Sequence, residues 1–358
     1  MNTPPAVRPA LEDCHSQQIA QKIQESPALT PGATQALVTG ATGFTGSRLV
    51  RVLREQGVRV RALVRDPCKA PFQAGQGIEL AVGDLTNPRA VERAVAGCDV
   101  VFHLAAVHRD ARYPDVFYRN VNVEGTRNIV QAAARQGVSR FIHCSTAALH
   151  DGPKLPADES APLLPRDIYE MTKLAAENVV LTQFSHGLAG TIVRPVGIYG
   201  PGEMRFLKLF RTVKNGTFRM IGSGDTVQHL TYIDDVVDGI FLCAWCPQAV
   251  GQTYIIAGPH YTTLNELVRA TAQAVGRVRL RCGHIPVLPV LIAARLTETL
   301  CRPLGIEPPL HPRRLAFFTR NRGYCSDKAR RDLGYLPKVD LEEGLAKTAR
   351  WYEAMGVL

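Results

Sequence analysis

The sequence has no apolar run long enough to cross a membrane, which takes about 20 consecutive apolar residues in a helix. Its first residues, Met1-Asn2-Thr3-Pro4-Pro5, carry no apolar signal core. It has no internal repeat and no long block of one charge. Its densest basic clusters are the pairs Arg313-Arg314 and Arg330-Arg331. No basic stripe is interleaved with aromatics, so no nucleic-acid partner is expected. The formal net charge of +10 is read as diffuse surface charge. A disulfide framework is missing too. The nine cysteines are an odd number, scattered from Cys14 to Cys325, which points to a reducing compartment and a cytoplasmic protein. Cys243 and Cys246 form one C-x-x-C without His partners, late in an expected helix. They are read as buried thiols, and no metal site is expected.

What is present is a chain of 358 residues, 46% of them hydrophobic. That suffices for a full core, as one large α/β unit or two lobes sharing a cleft. Residues 1–32, rich in Pro, Gln and Ala, read as a poorly ordered extension. A short helix at Ser16 to Glu25 is the one element expected within it. From Ala33 onward strands and helices alternate. Ala36 to Thr39, Val58 to Val64, Ile78 to Val82, Asp99 to Leu104, Arg140 to Cys144 and Gly190 to Val193 have strand patterns. Ser47 to Gln56, Pro88 to Ala96, Val116 to Gln136 and Asp167 to Phe184 have helical spacing. Such alternation predicts a parallel, doubly wound sheet. After Pro195 the rhythm breaks and prolines become denser, as expected of a smaller lobe. A final helix is predicted over Leu341 to Ala354.

The first strand runs into Thr39-Gly40-Ala41-Thr42-Gly43-Phe44-Thr45-Gly46-Ser47, a G-x-x-G-x-x-G spacing. A strand-turn-helix here aims backbone N–H groups and a helix N-terminus at a pyrophosphate. Glycines let the backbone approach both the ligand and the sheet. On the first β-α turn of an alternating sheet this is a dinucleotide loop. The second strand ends Ala62-Leu63-Val64-Arg65-Asp66. An acid at its end would take the ribose 2′-hydroxyl of NAD, but Val64 stands there. Arg65 can hold a 2′-phosphate bidentately, which favours NADP over NAD. In the competing reading Arg65 stacks on the adenine and Asp66 takes the ribose.

Tyr169 and Lys173 stand four apart on one helix face. A phenol near pKa 10 is a poor base at neutral pH, and a nearby ammonium favours its phenolate. The pair can exchange a proton with an alcohol while hydride leaves its carbon. Upstream, Cys144-Ser145-Thr146 closes a strand with two hydroxyls able to orient a substrate oxygen.

These residues, in this order, resemble an extended short-chain dehydrogenase/reductase of the epimerase/dehydratase and 3β-hydroxysteroid dehydrogenase superfamily, from about Ala36 to Tyr352. Gly83-Asp84-Leu85 resembles the adenine-contacting strand end. His103-Leu104-Ala105-Ala106 resembles the loop beside the nicotinamide ribose. Asn122-Val123-Glu124-Gly125-Thr126 resembles the helix supporting the active site. The run from Arg194 to Gly202, with Pro195 and Ile198, resembles the segment packed on the nicotinamide. Tyr232-Ile233-Asp234-Asp235-Val236 resembles the later strand-to-helix signature.

The resemblance implies a Rossmann-type doubly wound sheet with a smaller C-terminal substrate lobe. Residues 33–194 would form the dinucleotide domain, with 226–257 returning to it. Residues 195–225 and 258–358 would form the substrate lobe and C-terminal helix. It also implies Tyr169 as acid/base, Lys173 as ribose ligand, Thr146 ahead of Ser145 as the catalytic hydroxyl, Asn122 as a structural-catalytic residue, and a homodimer.

Sugar-nucleotide members carry a diphosphate-gripping Arg where this chain has Gln228, although Arg205, Arg211 or Arg320 would be able to compensate. The tail from Phe318 to Trp351 is similar to 3β-hydroxysteroid and sterol-4-carboxylate dehydrogenases. Ile285 to Leu300 is apolar and interrupted by Pro286 and Pro289. It is open to three readings: a wall of a sterol-like pocket, a peripheral membrane contact, or a core helix. A dehydrogenase acting on a bulky apolar secondary alcohol is therefore favoured. A nucleotide-sugar epimerase or dehydratase with tightly bound NAD stands second. A non-catalytic cofactor sensor stands third, opposed by the intact Tyr169 and Lys173.

Overall fold

The computed structural model describes residues 29–30, 32–70, 72, 77–109, 112–150, 155–277, 282–301 and 312–358. The expected helix at Ser16 to Glu25 lies outside the described residues. Packing begins slightly before Ala33, because Leu29 is 2% exposed within the main core.

The first half alternates as the sequence pattern requires: β1 (Gln35–Thr39), α1 (Phe44–Glu55), β2 (Arg59–Val64), β3 (Ile78–Val82), α2 (Pro88–Val95) and β4 (Val100–His103). Then come α3 (Asp115–Arg119), α4 (Gly125–Arg135), β5 (Arg140–Cys144), α5 (Ile168–Ser185) and β6 (Gly190–Pro195). The seven-stranded sheet runs β10-β6-β5-β4-β1-β2-β3, with β10 at Thr253–Ile256, and each of its strand pairs is parallel. Helices cover both faces, so a central strand such as β6 is buried along its whole length. β1 lies between β2 and β4. The chain therefore winds outward one way from β1 and then the other, and the crevice at the carboxyl end of β1 is the topological switch point where ligands bind.

Beyond β6 come β7 (Gly197–Tyr199), α6 (Leu207–Lys214), β8 (Arg219–Ile221), β9 (Val227–Tyr232) and α7 (Ile233–Trp245). After β10 follow β11 (Tyr261–Thr263), α8 (Leu264–Ala274), β12 (Gly283–Ile285), α9 (Val287–Cys301), α10 (Pro312–Thr319), α11 (Asp327–Leu333) and α12 (Leu341–Ala354). β9 sits centrally in a small sheet, β11-β9-β7, while β8 pairs with β12. α7 is apolar on most sides and is buried against β5 and β6. Cys243 and Cys246 are buried in that core and form no disulfide.

Three local expectations change. Helix α1 starts at Phe44 rather than Ser47, because Gly43 already serves as its N-cap. The helix expected over Val116 to Gln136 is interrupted by a π-helical turn, Asn120–Glu124, between α3 and α4. This turn carries Asn122 under Val107 and Thr172, where its amide is bonded. The apolar stretch Ile285 to Leu300 is not a buried core helix, and it does not line the cavity at the carboxyl end of β1. As α9 it turns Leu288, Ile292 and Leu296 outward, each more than half exposed. Among the described residues, no helix is long and apolar enough to cross a membrane.

Candidate active site

The site starts at the end of β1. Gly40 has φ +71°, and a Cβ there would lie 2.8 Å from the Ala105 nitrogen. A Cβ on Gly46 would lie 2.1 Å from the Gly40 carbonyl oxygen. Only glycine closes this turn so tightly against the β4 loop. The cap at Gly43 makes no side-chain bond, and the first turn of α1 carries no acid. Its N–H groups and the positive end of its dipole remain available to an anion. The loop thus fits the pyrophosphate of a dinucleotide.

A cavity of about 950 Å³ opens from this loop. It brings together Gly40, Gly43, Phe44, Thr45, Gly46, Leu104, Ala106, Ser145, Thr146, Tyr169, Lys173, Pro195 and Ile198. Thr42, Arg65, Asp84, Leu85, Ala105 and Asn122 do not line it. Arg65 is exposed just past β2, and Asp84 follows β3 on the same carboxyl edge, with Val64 beside Val82. The Asp66 carboxylate caps its own turn by accepting from the Cys68 N–H, and it pairs with Lys69 at 3.4 Å. Asp84 accepts from the Thr86 N–H and hydroxyl.

Tyr169 and Lys173 both lie on buried turns of α5, which Asp167 caps by accepting from the Glu170 N–H at 2.8 Å. The Lys173 ammonium donates to the Cys144 carbonyl at 2.6 Å. Burial raises the Tyr169 hydroxyl to about 12, against a smaller lowering by the Arg109 charge. The Arg109 guanidinium carbon is 5.1 Å from the Tyr169 ring centroid, and the His108 ring meets Tyr169 edge-on at 4.7 Å. Lys173 was expected to lower the phenol. Here its proton donation goes to Cys144, and Arg109 is the cation facing the phenol. A neutral phenol in this position is chemically able to give a proton to a developing alkoxide.

The two candidate hydroxyls differ in their bonding. Thr146 Oγ1 accepts from the Ala148 N–H at 3.2 Å, capping a short turn. Ser145 Oγ is buried with no partner among the described residues. A substrate oxygen in the cavity would satisfy it. Asn122 is structural in its contacts: Oδ1 accepts from the Val107 N–H at 2.7 Å, and Nδ2 donates to the Val107 carbonyl and to Thr172 Oγ1 at 3.1 and 3.0 Å. It ties the β4 loop to the helix carrying Tyr169 and Lys173.

Gln228 is 3% exposed, and its amide donates to the carbonyls of Phe317 and Arg320 at 3.0 and 2.9 Å. It holds α10 against the small sheet. α10 in turn gives the cavity an apolar wall of Leu315, Phe317 and Phe318, with Phe206, Leu209 and Phe218 lining the same cavity. Arg205 lines the cavity, whereas Arg211 donates to the Val357 carbonyl away from it. Arg320 lies 3.7 Å from Glu170.

Reasoning from the sequence did not single out His108, Arg109 or Arg322, which all line the cavity. One signal was available: His108-Arg109 follows the loop ending at Ala106 within three residues. Arg109 is also the one non-glycine residue with positive φ, +30°, among the described residues. It is held there by Asp167 at 2.9 Å and by a bond to Glu170. Such strain persists where surrounding contacts over-determine it, as at functional sites.

The comparisons with known proteins agree with this geometry. The NAD dependent epimerase/dehydratase family model matches residues 36–257. A 3-beta-hydroxysteroid dehydrogenase of Mycolicibacterium neoaurum is 33% identical, over 91% of this chain and 93% of that protein. A 2-alkyl-3-oxoalkanoate reductase of Stenotrophomonas maltophilia is 34% identical, over 87% of this chain and 97% of its own length. The solved structure of MoeE5 with UDP-glucuronic acid and NAD is 26% identical, with a TM-score of 0.72, covering 90% of this chain and 99% of that one. The chain belongs to the NAD dependent epimerase/dehydratase family, and its chemistry is oxidoreduction with a nicotinamide dinucleotide.

Proposed function

We propose that this enzyme moves a hydride between a nicotinamide cofactor and the secondary alcohol or ketone of a bulky, apolar small molecule. The apolar cavity wall carries this reading. It lines the same cavity as Tyr169, and Gln228, where sugar-nucleotide enzymes have a diphosphate-gripping Arg, is engaged in holding that wall. Two relatives are named for a hydroxysteroid and for a 2-alkyl-3-oxoalkanoate, both largely hydrocarbon.

The bound cofactor would supply or accept the hydride. Gly40, Gly43, Phe44, Thr45 and Gly46 would hold its pyrophosphate. Asp84, Leu85, Leu104, Ala105, Ala106, Pro195 and Ile198 would flank its other parts. Tyr169 exchanges the proton, Lys173 holds the ribose, and Ser145 or Thr146 orients the substrate oxygen. NADP is favoured over NAD, because Asp66 is engaged in its own turn while Arg65 stands exposed at the strand end. A lower Michaelis constant for NAD than for NADP overturns that preference.

Exposed Val116 on α3, with Met171 and Leu181 on α5, supports a homodimer packed through these helices. The outward stripe on α9 supports peripheral contact with a membrane surface of a cytoplasmic protein.

The second reading is a nucleotide-sugar epimerase with tightly held NAD, and the arginines lining the cavity favour it. Denaturing the freshly purified protein and weighing the released nucleotide separates the two. Near-stoichiometric NAD supports the epimerase. An empty, reversible site with turnover of hydroxysterols or 2-alkyl-3-hydroxy acids supports the dehydrogenase.

A further inference from the structure

Four guanidiniums, of Arg109, Arg205, Arg219 and Arg322, line the cavity that holds Tyr169, and Arg219 donates to the Phe218 carbonyl at 2.9 Å. Two of the others pair with carboxylates. Arg109 donates to Asp167 and Glu170, and Arg205 donates to Glu203. Arg322 does not share in this. Its side chain is 22% exposed, and its nearest carboxylate oxygen, Glu170 Oε1, is 4.0 Å away. That carboxylate is already bonded by Arg109 and by the Arg166 N–H. No hydrogen bond from the Arg322 guanidinium is seen among the described residues.

A guanidinium has five donors and is costly to desolvate without acceptors. Burial and the neighbouring Arg109 charge lower the Arg322 pKa, the direction expected of a cation short of partners. The pair Asp167 and Glu170 must also serve Arg109 and Arg320, so two carboxylates face three guanidiniums at this end of the cavity. The excess charge is positive, and it lies against Glu170, the residue after Tyr169. Apolar side chains of α10 line the same cavity: Leu315, Phe317 and Phe318.

We propose that Arg322, backed by Arg109, forms an anion subsite, and that the substrate bears a carboxylate close to its reacting alcohol or ketone. This deepens the proposed function and rests on its assignment of the cavity to substrate. The diphosphate of a nucleotide sugar would also bring anionic oxygens. The apolar α10 wall beyond Arg322 suits the hydrocarbon body of an acid and offers a sugar few partners.

The test is isothermal titration calorimetry of the cofactor-saturated protein with decanoate, methyl decanoate and UDP. One charge-assisted pair predicts that decanoate binds roughly tenfold to hundredfold tighter than its ester. In Arg322→Gln that ratio collapses toward one. In Arg322→Lys it recovers in part, because the charge returns without the planar fork. Equal affinity for acid and ester overturns the proposal, as does an Arg322→Gln variant that weakens both alike. Arg322-dependent binding of UDP, with decanoate indifferent, overturns the carboxylate and favours the nucleotide sugar. The readout needs no turnover. Selective decanoate binding without oxidation of any hydroxy acid or hydroxysterol would leave the subsite standing and reject the activity.

Discussion

The buried ion pair behind the catalytic helix gives the sharpest energetic prediction. Arg194 donates to both Glu177 oxygens, Nε to Oε1 at 2.9 Å and Nη2 to Oε2 at 2.6 Å, and its Nη1 lies 2.9 Å from His150 Nε2. Glu177 is 1% and Arg194 6% exposed. Glu177 sits one turn beyond Lys173 on α5, and Arg194 directly precedes Pro195 in the cavity wall. The pair therefore pins the Tyr-Lys helix to β6. In Glu177→Leu a guanidinium loses both acceptors, and in Arg194→Met a carboxylate loses both donors. Breaking a buried pair from one side costs about 3–5 kcal/mol. Removing both charges, in Glu177→Leu with Arg194→Met, leaves only the His150 nitrogen short of a partner, a cost of about 1–3 kcal/mol that new apolar contact offsets. Urea unfolding of the wild type, both single variants and the double variant measures this cycle. At an m-value of about 3 kcal/mol/M, each single change lowers the midpoint by about 1 M or more. The double variant should be more stable than either single variant. Single losses under about 1 kcal/mol would place the pair among surface salt bridges and refute the argument. So would a double variant less stable than both singles.

Other consequences are simpler to check. Tyr169→Phe keeps the ring against His108 and Arg109 but removes the proton, so kcat should fall by about 10²–10⁴ while cofactor titration is unchanged; a loss under tenfold would unseat Tyr169. Gly46→Ala puts a Cβ 2.1 Å from the Gly40 oxygen, so calorimetry should find dinucleotide binding lost; wild-type affinity would mean that the loop does not hold the pyrophosphate. Burial lowers His103 to about 3 and His229 to about 4, from 6.5. The unfolded chain protonates first, so their contribution is complete above pH 6.5 and is lost as pH falls from 6.5 toward 4. Asp235, raised by burial to about 6, acts in the opposite sense, so its substitution by Asn should steepen the loss; stability that is flat from pH 7 to 5 in that variant contradicts the assignment.

The parallel sheet, its glycine loop and the Tyr169–Lys173 face were legible because each is local: a period, a spacing or a turn. Asn122 was legible as a supporting residue, but its reach to Val107 and Thr172 depends on a π turn that has no periodic signature. Arg109 and Arg322 were hidden for another reason. They stand far apart in sequence, in ordinary basic surroundings, and only the meeting of the β4 loop, α5 and the chain after α10 brings them to Glu170. Gln228 was legible as a missing cation but not as a brace, since its partners are backbone carbonyls some ninety residues away. The helix α9 kept its ambiguity because its apolar spacing is the same whether a face is covered or bare.

The turn at Asn120–Glu124 makes this enzyme sensitive to chain length at one point more than to chemistry. Deleting Val123 or Glu124 would let the segment relax into plain α-helix, with little loss of helical bonding. Each residue of an α-helix turns the chain by about 100°. The amide of Asn122 would then swing away from Val107 and Thr172 while its identity was kept. Among copies of this gene, a single-codon gap here would report a silenced enzyme more surely than most substitutions, and an aligner that closes the gap would conceal it.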